Sequence, residues 1–148
     1  MYKHILIAID GSEMGDRAME HGLKLAKYVK APVTFVTVTE LWSAFEMAEK
    51  TRKQQPDPLH QYEAMAAAYA KRILDAAAAK AKAAGVPCDV VHVPDKHPAE
   101  GVIATAQKTG CDLIVMGSHG RRGLGRLLLG SQAYEVLSHS KVPALIVR

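Results

Sequence analysis

The sequence predicts an α/β fold built on a parallel β-sheet, and two features of its 148 residues support this prediction. Short apolar runs alternate with longer amphipathic stretches, as they do where buried strands are joined by helical crossovers. No internal repeat or linker divides the chain, and its length suits one domain over residues 1–148. Because strand–helix–strand connections are right-handed, we expect a doubly wound sheet with helices on both faces.

Five apolar runs have the length and composition of buried strands. Gly, Pro and Asp residues stand near the ends of these runs, as they do where strands give way to turns. An apolar run without strict alternation is typical of a strand that is covered on both faces. The strands are predicted over residues 4–9, 32–38, 86–93, 112–116 and 142–147.

Capping residues and helical spacing define the helices between these strands. Ser12 is a good N-cap for the first helix, whose apolar residues recur at helical spacing. Asp57 and Pro58 suit the N-cap and first position of a long second helix, which Gly85 ends. The third and fourth helices are predicted over residues 98–110 and 131–139, and the second helix is expected to bury Tyr62, Met65, Tyr69 and Ile73.

Composition narrows the class of protein. Apolar residues make up 49% and charged residues 23% of the chain, which is typical of a folded protein. Apolar runs are too short to cross a membrane, and the first strand begins too early for a signal peptide, so we expect a cytoplasmic protein without membrane insertion. Cys88 and Cys111 lack metal-binding spacing and the histidines form no set, so reduced thiols and no metal site are expected.

Residues 117–131, GSHGRRGLGRLLLGS, are the most informative about function. A glycine-rich turn between a strand and a helix places backbone N–H groups at the helix N-terminus, where they bind phosphate oxygens. Gly117, Gly120 and Gly130 can take positive φ or allow a ligand to approach the backbone. Ser131 adds a hydroxyl donor. An ordinary connection with turn glycines is the alternative interpretation.

Arginines in the same turn add positive charge. The net charge of the chain is +4, and Arg121, Arg122 and Arg126 account for the excess in its second half. A basic cluster of this size suits a polyphosphate ligand. It is a weak basis for nucleic-acid binding, which requires a broader basic face with aromatic residues.

The spacing of the glycines excludes two well-known phosphate motifs. A Walker P-loop needs a Gly-Lys pair, which the chain lacks, and the dinucleotide fingerprint is broken because Leu128 occupies its last position. The remaining pattern is Gly-x2-Gly-x9-Gly-Ser, which begins at Gly117. Together with residues 5–12 and 143–147, it resembles the ATP-binding subgroup of the universal stress protein family, and the resemblance covers nearly the whole chain.

This resemblance implies a Rossmann-like sheet with strand order 3-2-1-4-5 and a nucleotide crevice between strands one and four. It implies ATP as the ligand, with Mg or Mn bound through the phosphates. It also implies a homodimer through Pro143 to Val147; because Pro143 has no N–H, we expect the pairing to centre on Leu145 and Val147. The expected nucleotide contacts are Asp10, Val38, Met116, Gly117, His119, Gly120, Arg121, Gly130, Ser131 and Gln132.

Several of these residues have a second interpretation. Asp10 can bind ribose or adenine, or it can simply form the turn before Gly11 and Ser12. His119 can approach phosphate or face solvent. Gln132 stands where the family resemblance leads us to expect a small or apolar residue. The segment 39–56 is a connector, a lid over adenine or a docking surface for a partner.

Three functions are compatible with the sequence. The leading one is a nucleotide-dependent regulatory module of universal stress type that acts by binding. The second is a slow ATPase or a nucleotidyl-transfer enzyme. Asp10 is the only carboxylate that we place in the crevice, and an efficient hydrolase would need a further base or Mg²⁺ ligand. No catalytic residue is therefore assigned. The third is a ligand-free interaction module, and the intact glycine motif argues against it.

Overall fold

The computed structural model describes residues 1–40, 58–120 and 129–148. This part of the chain forms one parallel sheet with helices on both faces. The strands are β1 (Ile5–Ala8), β2 (Val33–Thr39), β3 (Cys88–Pro94), β4 (Leu113–Gly117) and β5 (Ala144–Val147). The helices are α1 (Glu13–Val29), α2 (Pro58–Ala84), α3 (Pro98–Thr109) and α4 (Ser131–His139).

The order of the strands confirms the predicted doubly wound topology. The sheet runs β3-β2-β1-β4-β5, and all neighbouring pairs are parallel. Ile5 of β1 is in register with Val33 of β2 on one side and with Leu113 of β4 on the other. The direction of winding therefore changes between β1 and β4, where the crossovers leave in opposite directions and open a crevice at the carboxyl ends.

Alternation along the strands creates two apolar cores. Ile5 and Ile7 of β1 are fully buried in the core that also contains residues of α1 and α2. Leu6 points the other way and is fully buried in the core formed with α3 and α4. Each such side chain contributes about 1.5–3 kcal/mol through burial, so both faces hold the sheet rigid beneath the crevice.

The capping predictions are confirmed where the structure describes them. Ser12 has extended backbone angles, and its Oγ accepts a hydrogen bond of 3.1 Å from the Gly15 N–H at the start of α1. Gly85 follows α2 with φ 74°, and Gly110 ends α3 with φ 70°. Asp57 lies outside the described residues.

Each strand begins later than predicted, three of them by one residue and β3 and β5 by two, and proline explains the two larger differences. The runs starting at residues 86 and 142 enter the sheet only at Cys88 and Ala144. Pro87 and Pro143 precede these residues and have no N–H to donate to a ladder. Their carbonyls still accept hydrogen bonds from the neighbouring strands.

The buried face of α2 differs from the prediction. Met65, which was expected to be buried, is 67% exposed, and Tyr62, Tyr69 and Ile73 are only half-buried. Small side chains allow a helix to approach a sheet closely, and alanines occupy most of the inward positions of α2. Its buried residues include Ala70, Leu74, Ala77 and Ala81.

Within residues 1–40, 58–120 and 129–148, no helix has the length and apolar character needed to span a membrane.

Candidate functional site

The turn after β1 fixes the position of Asp10. Its Oδ1 accepts hydrogen bonds from the Ser12 N–H, at 3.0 Å, and from the Ser12 hydroxyl, at 2.5 Å. Gly11 has φ 81°, a conformation that favours glycine. The interpretation of Asp10 as a turn former is therefore confirmed, and the same bonds hold its carboxylate beside the first turn of α1.

The second oxygen of Asp10 faces the glycine-rich turn after β4. A Cβ atom on Gly120 would lie 3.0 Å from Asp10 Oδ2. On the other side, a Cβ atom on Gly15 would lie 2.8 Å from Oδ1. Glycines therefore surround the carboxylate, and the structure brings together two predicted site residues that are far apart in the sequence.

Gly117 serves close packing at the end of β4. A Cβ atom there would lie 3.0 Å from the backbone carbon and oxygen of Met14 in α1. Among the glycines that the structure describes, positive φ occurs at Gly11, Gly85 and Gly110 and not in the predicted phosphate turn. Of the two roles predicted for Gly117, Gly120 and Gly130, positive φ is therefore not found, and a Cβ atom at each of them would crowd a neighbouring group.

Gly130 connects the turn to the start of α4. Its N–H donates a 2.7 Å hydrogen bond to the Ser118 carbonyl, and a Cβ atom on Gly130 would lie 2.6 Å from the same oxygen. Gly130 is the N-cap of α4 and has no side chain to cap the helix, and no other described residue is seen to cap it. An anion beside the turn could therefore bind the first-turn N–H groups, which begin at exposed Ser131.

His119 presents an unpartnered nitrogen within this site. Its Nδ1 lies 3.1 Å from the hydroxyl of buried Ser118, whereas its Nε2 is buried without a hydrogen-bond partner among the residues that the structure describes. A buried polar atom without a partner costs about 1–3 kcal/mol, so such atoms are uncommon outside functional sites. The alternative in which this end of His119 faces solvent is wrong for Nε2.

Gln132 has a role that the sequence did not predict. Its Oε1 accepts a hydrogen bond of 2.9 Å from the Ala99 N–H in the first turn of α3. Ala99 is only 1% exposed, and the N-cap of α3, His97, makes no side-chain bond to the helix. Gln132 thus caps α3 from α4 and ties the first turns of the two helices together.

Val38 and Met116 lie beside the site, and both pack into the apolar core that the sheet forms with α3 and α4. A Cβ atom on Gly101 would lie 2.7 Å from Val38 Cγ2, so α3 packs directly on the end of β2. The Met116 side chain is buried in the core shared with α3 and α4. Both residues therefore offer a ligand mainly their backbone at the carboxyl ends of β2 and β4. Arg121, with the rest of residues 121–128, lies outside the described residues, as does segment 41–57.

Side chains of metal-binding type and thiols also occur among the described residues. No group of three or more His, Cys, Asp or Glu that could hold a metal ion is found among the residues that the structure describes. Both cysteines are free thiols, and burial raises the pKa of Cys88 and Cys111 above 9.0. A thiol with a raised pKa is a poor nucleophile at neutral pH.

Comparison with known proteins identifies the family. The universal stress protein family model matches residues 1–148. Universal stress protein YxiE of Bacillus subtilis is 31% identical over 151 residues, covering 100% of both chains. The structure of MJ0577, from Methanocaldococcus jannaschii, is 26% identical with a TM-score of 0.78, and the match covers 99% of this chain and 96% of that one.

A universal stress protein in complex with cAMP has the same fold, with a TM-score of 0.72 at 24% identity over 99% of this chain and 97% of that one. The strand order, the glycine-rich turn after β4 and the full-length family match agree with one another. The chain belongs to the universal stress protein family.

Proposed function

We propose that this protein is an adenine-nucleotide-binding regulatory module with ATP as its preferred ligand. The observation that carries the proposal is the close approach of the Asp10 carboxylate to Gly120, where an added Cβ atom would lie 3.0 Å from Asp10 Oδ2, across the gap between β1 and β4. The start of α4 and the Nε2 of His119, neither of which has a side-chain partner among the described residues, lie at the two ends of the same turn. A hydrogen-bond acceptor and groups that can donate therefore line the same crevice, as binding of a nucleotide requires.

The nucleoside would occupy the end of the crevice formed by β1 and β2. There Asp10 accepts hydrogen bonds from ribose hydroxyls or the adenine edge, and the backbone at Val38 contacts adenine. Adenine is the base of cAMP, which a structurally similar universal stress protein binds. Asp10 accepts from Ser12 through Oδ1, and its Oδ2 lies on the side of the glycine turn.

The phosphates would occupy the end formed by the turn after β4 and by the start of α4. Backbone N–H groups near Gly117, Gly120 and Ser131 donate to phosphate oxygens, and the His119 Nε2 lies in the same turn. Arg121 adds charge by its position in the sequence. Gln132 contributes through its backbone, because its side-chain oxygen is bonded to α3. Mg or Mn would arrive bound to the phosphates.

Mass spectrometry of ligands that copurify with the full chain, followed by calorimetry, tests this proposal. We expect an adenine nucleotide to copurify and ATP to bind more tightly than AMP or cAMP, because a longer phosphate chain makes more charge-assisted contacts. Asp10→Ala should weaken ATP, AMP and adenosine by a similar factor. Absence of measurable binding of all three to the wild-type chain contradicts the proposal.

We also propose that the chain acts in the cytoplasm, as a single domain that forms a homodimer through β5. β5 is an edge strand of half-buried apolar residues, and Tyr134 and Leu137 of the adjoining α4 are exposed. Unpaired apolar edges favour pairing with a second copy of the strand. Nucleotide binding, rather than turnover, would then bias the conformation or assembly of the dimer.

The hydrogen bonds of β5 correct the expected centre of pairing. The carbonyls of Pro143 and Val147 accept from Ile114 and Ser118, so these residues face β4. Leu145 faces β4 as well, because backbone groups of alternate residues point to the same side of a strand. The backbone groups that face outward therefore belong to Ala144 and Ile146, and not to Leu145 and Val147.

Two single proline variants test the dimer, and each removes one outward-facing backbone N–H from a different edge strand of the sheet. Ala144→Pro deletes a donor on the proposed interface and removes little side-chain packing. Val90→Pro is the matched control, because Val90 faces outward by the same alternation on the opposite edge strand, β3, and is 45% exposed. Light scattering should give a dimer for the wild type and Val90→Pro and a monomer for Ala144→Pro. A monomeric wild type contradicts the homodimer.

A further inference from the structure

Two tyrosines of α2 contact the backbone where the first two strands end. The Tyr69 hydroxyl donates a 2.6 Å hydrogen bond to the Asp10 carbonyl. Two helical turns earlier, the Tyr62 hydroxyl donates a 2.8 Å hydrogen bond to the Glu40 carbonyl. Asp10 follows β1 and Glu40 follows β2, so one face of α2 is bonded to the backbone beside both strand ends that would receive the nucleoside.

The fit between Tyr69 and the Asp10 turn is close. A Cβ atom on Gly11 would lie 2.5 Å from the Tyr69 hydroxyl oxygen and 3.0 Å from Ile73 Cδ1. Glycine at this position therefore permits both the φ of 81° and the approach of the phenol. The Arg72 guanidinium lies 5.3 Å from the centre of the Tyr69 ring, which restrains the ring further.

Hydrogen bonds fix two groups of Asp10, its backbone carbonyl and its carboxylate, and only the first of these is bonded to Tyr69. The phenol holds the carbonyl of Asp10, and the hydroxyl and N–H of Ser12 hold its Oδ1. The peptide between Asp10 and Gly11 is thereby restrained on both sides, and the direction of Oδ2 follows from it. Loss of the phenolic hydroxyl would let this peptide rotate and would misdirect the carboxylate.

We infer that Tyr69 is a positioning residue for the nucleoside end of the crevice and acts through Asp10. The inference rests on the proposed function, because it requires Asp10 to bind the nucleoside. Tyr69 does not reach the phosphate end through these contacts, since that end is held by the bond between Gly130 and Ser118. Its effect should therefore be confined to ligands that contain a nucleoside.

Calorimetry with Tyr69→Phe tests the inference, because phenylalanine keeps the ring and removes only the hydroxyl. We expect the affinities for adenosine, AMP and ATP to fall by the same factor, roughly threefold to tenfold, as one net hydrogen bond would give. The affinity for inorganic tripolyphosphate should not change. Tyr28→Phe is the matched control, because Tyr28 is 86% exposed, and it should bind all four ligands like the wild type.

The double variant Asp10→Ala/Tyr69→Phe distinguishes positioning from general stabilisation. If Tyr69 acts through the carboxylate, the hydroxyl has no further effect on adenosine affinity once Asp10 is alanine. Independent, additive losses overturn the inference. So does a lower melting temperature of Tyr69→Phe together with unchanged adenosine affinity, which is the result of a purely structural role.

Failure of the proposed function gives a different result. If Asp10→Ala leaves adenosine affinity intact, or if the wild-type chain binds no adenine nucleotide, the proposed site is wrong and the inference is overturned with it. If Asp10→Ala weakens adenosine and Tyr69→Phe does not, the proposed function stands and the positioning role alone is overturned.

Discussion

The two ends of the sheet satisfy their polar groups in different ways. At the amino ends of the strands, the Asp112 carboxylate accepts hydrogen bonds from the N–H groups of Lys3 and His4. The His4 ring lies 2.8 Å from the Thr34 hydroxyl in the neighbouring strand. Donors and acceptors in this region therefore pair with one another, and the contacts serve stability.

At the carboxyl ends, polar groups remain that the described residues do not pair. His119 Nε2 is buried without a partner, and α4 begins without a side-chain cap. Parallel strands all have their carboxyl ends at the same end of the sheet. The loops that follow the strands therefore bring these unpaired groups close to one another. If the carboxyl ends bind the nucleotide as proposed, stability and binding are located at opposite ends of one sheet, and substitutions should separate them.

The largest expected effect is on binding, at the carboxyl end. Gly130→Val would place a Cβ atom 2.6 Å from the Ser118 carbonyl oxygen and 3.2 Å from His119 Cα, both of which belong to the backbone. The turn must therefore shift away from the start of α4. We expect ATP affinity, measured by calorimetry, to fall at least about a hundredfold, as the loss of several charge-assisted bonds implies.

Gly85→Ala is the control for the Gly130 variant. Gly85 has φ 74°, and no atom lies within 4 Å of the place that a Cβ atom would take, so alanine strains the backbone far from the crevice without a steric clash. It should lower the free energy of unfolding by about 1 kcal/mol and leave ATP affinity unchanged. An unchanged ATP affinity in Gly130→Val would remove the turn from the proposed site.

A second prediction concerns stability, at the amino end. Asp112→Ala removes the acceptor for Lys3 and His4 and should lower the free energy of unfolding at pH 7 by about 2 kcal/mol, with ATP affinity unchanged. Urea unfolding measures the first quantity and calorimetry the second. A loss of affinity comparable to that of the Gly130 variant would contradict the separation of the two ends.

The contribution of Asp112 should depend on pH. Burial acts to raise the pKa of Asp112, but hydrogen bonds from the N–H groups of Lys3 and His4 lower it below 3.8 overall. A lowered folded-state pKa means that the stabilisation is complete above the unfolded-state pKa and is lost as the pH falls through the folded-state pKa. The difference in unfolding free energy between wild type and Asp112→Ala should therefore shrink below about pH 4.

The sequence predicts the features that depend on neighbouring residues and misses those that depend on contacts between distant elements. Strand positions, caps and the glycine-rich turn are local patterns, and the strand order followed from a family resemblance that those patterns carried. Met65 was misplaced because apolar periodicity on an alanine-rich helix does not show which of its stripes approaches the sheet. Contacts between distant elements were missed for a related reason: Tyr69 and Asp10 meet across 59 residues of sequence, and a tyrosine on a helix has no local pattern that shows its hydroxyl partner.

The smallest expected effect lies at the carboxyl end, at the side chain of Gln132. Gln132→Leu keeps the size of the side chain but leaves the buried Ala99 N–H without its partner. We expect a loss of about 1 kcal/mol in the free energy of unfolding, with ATP affinity changed less than twofold, because the backbone of Gln132 and the start of α4 stay in place. Gln107→Leu is the matched control, since Gln107 is exposed on α3 and should change neither quantity. If Gln132→Leu instead lowered ATP affinity tenfold at unchanged stability, its side chain would contact the nucleotide directly, and the capping bond would be secondary.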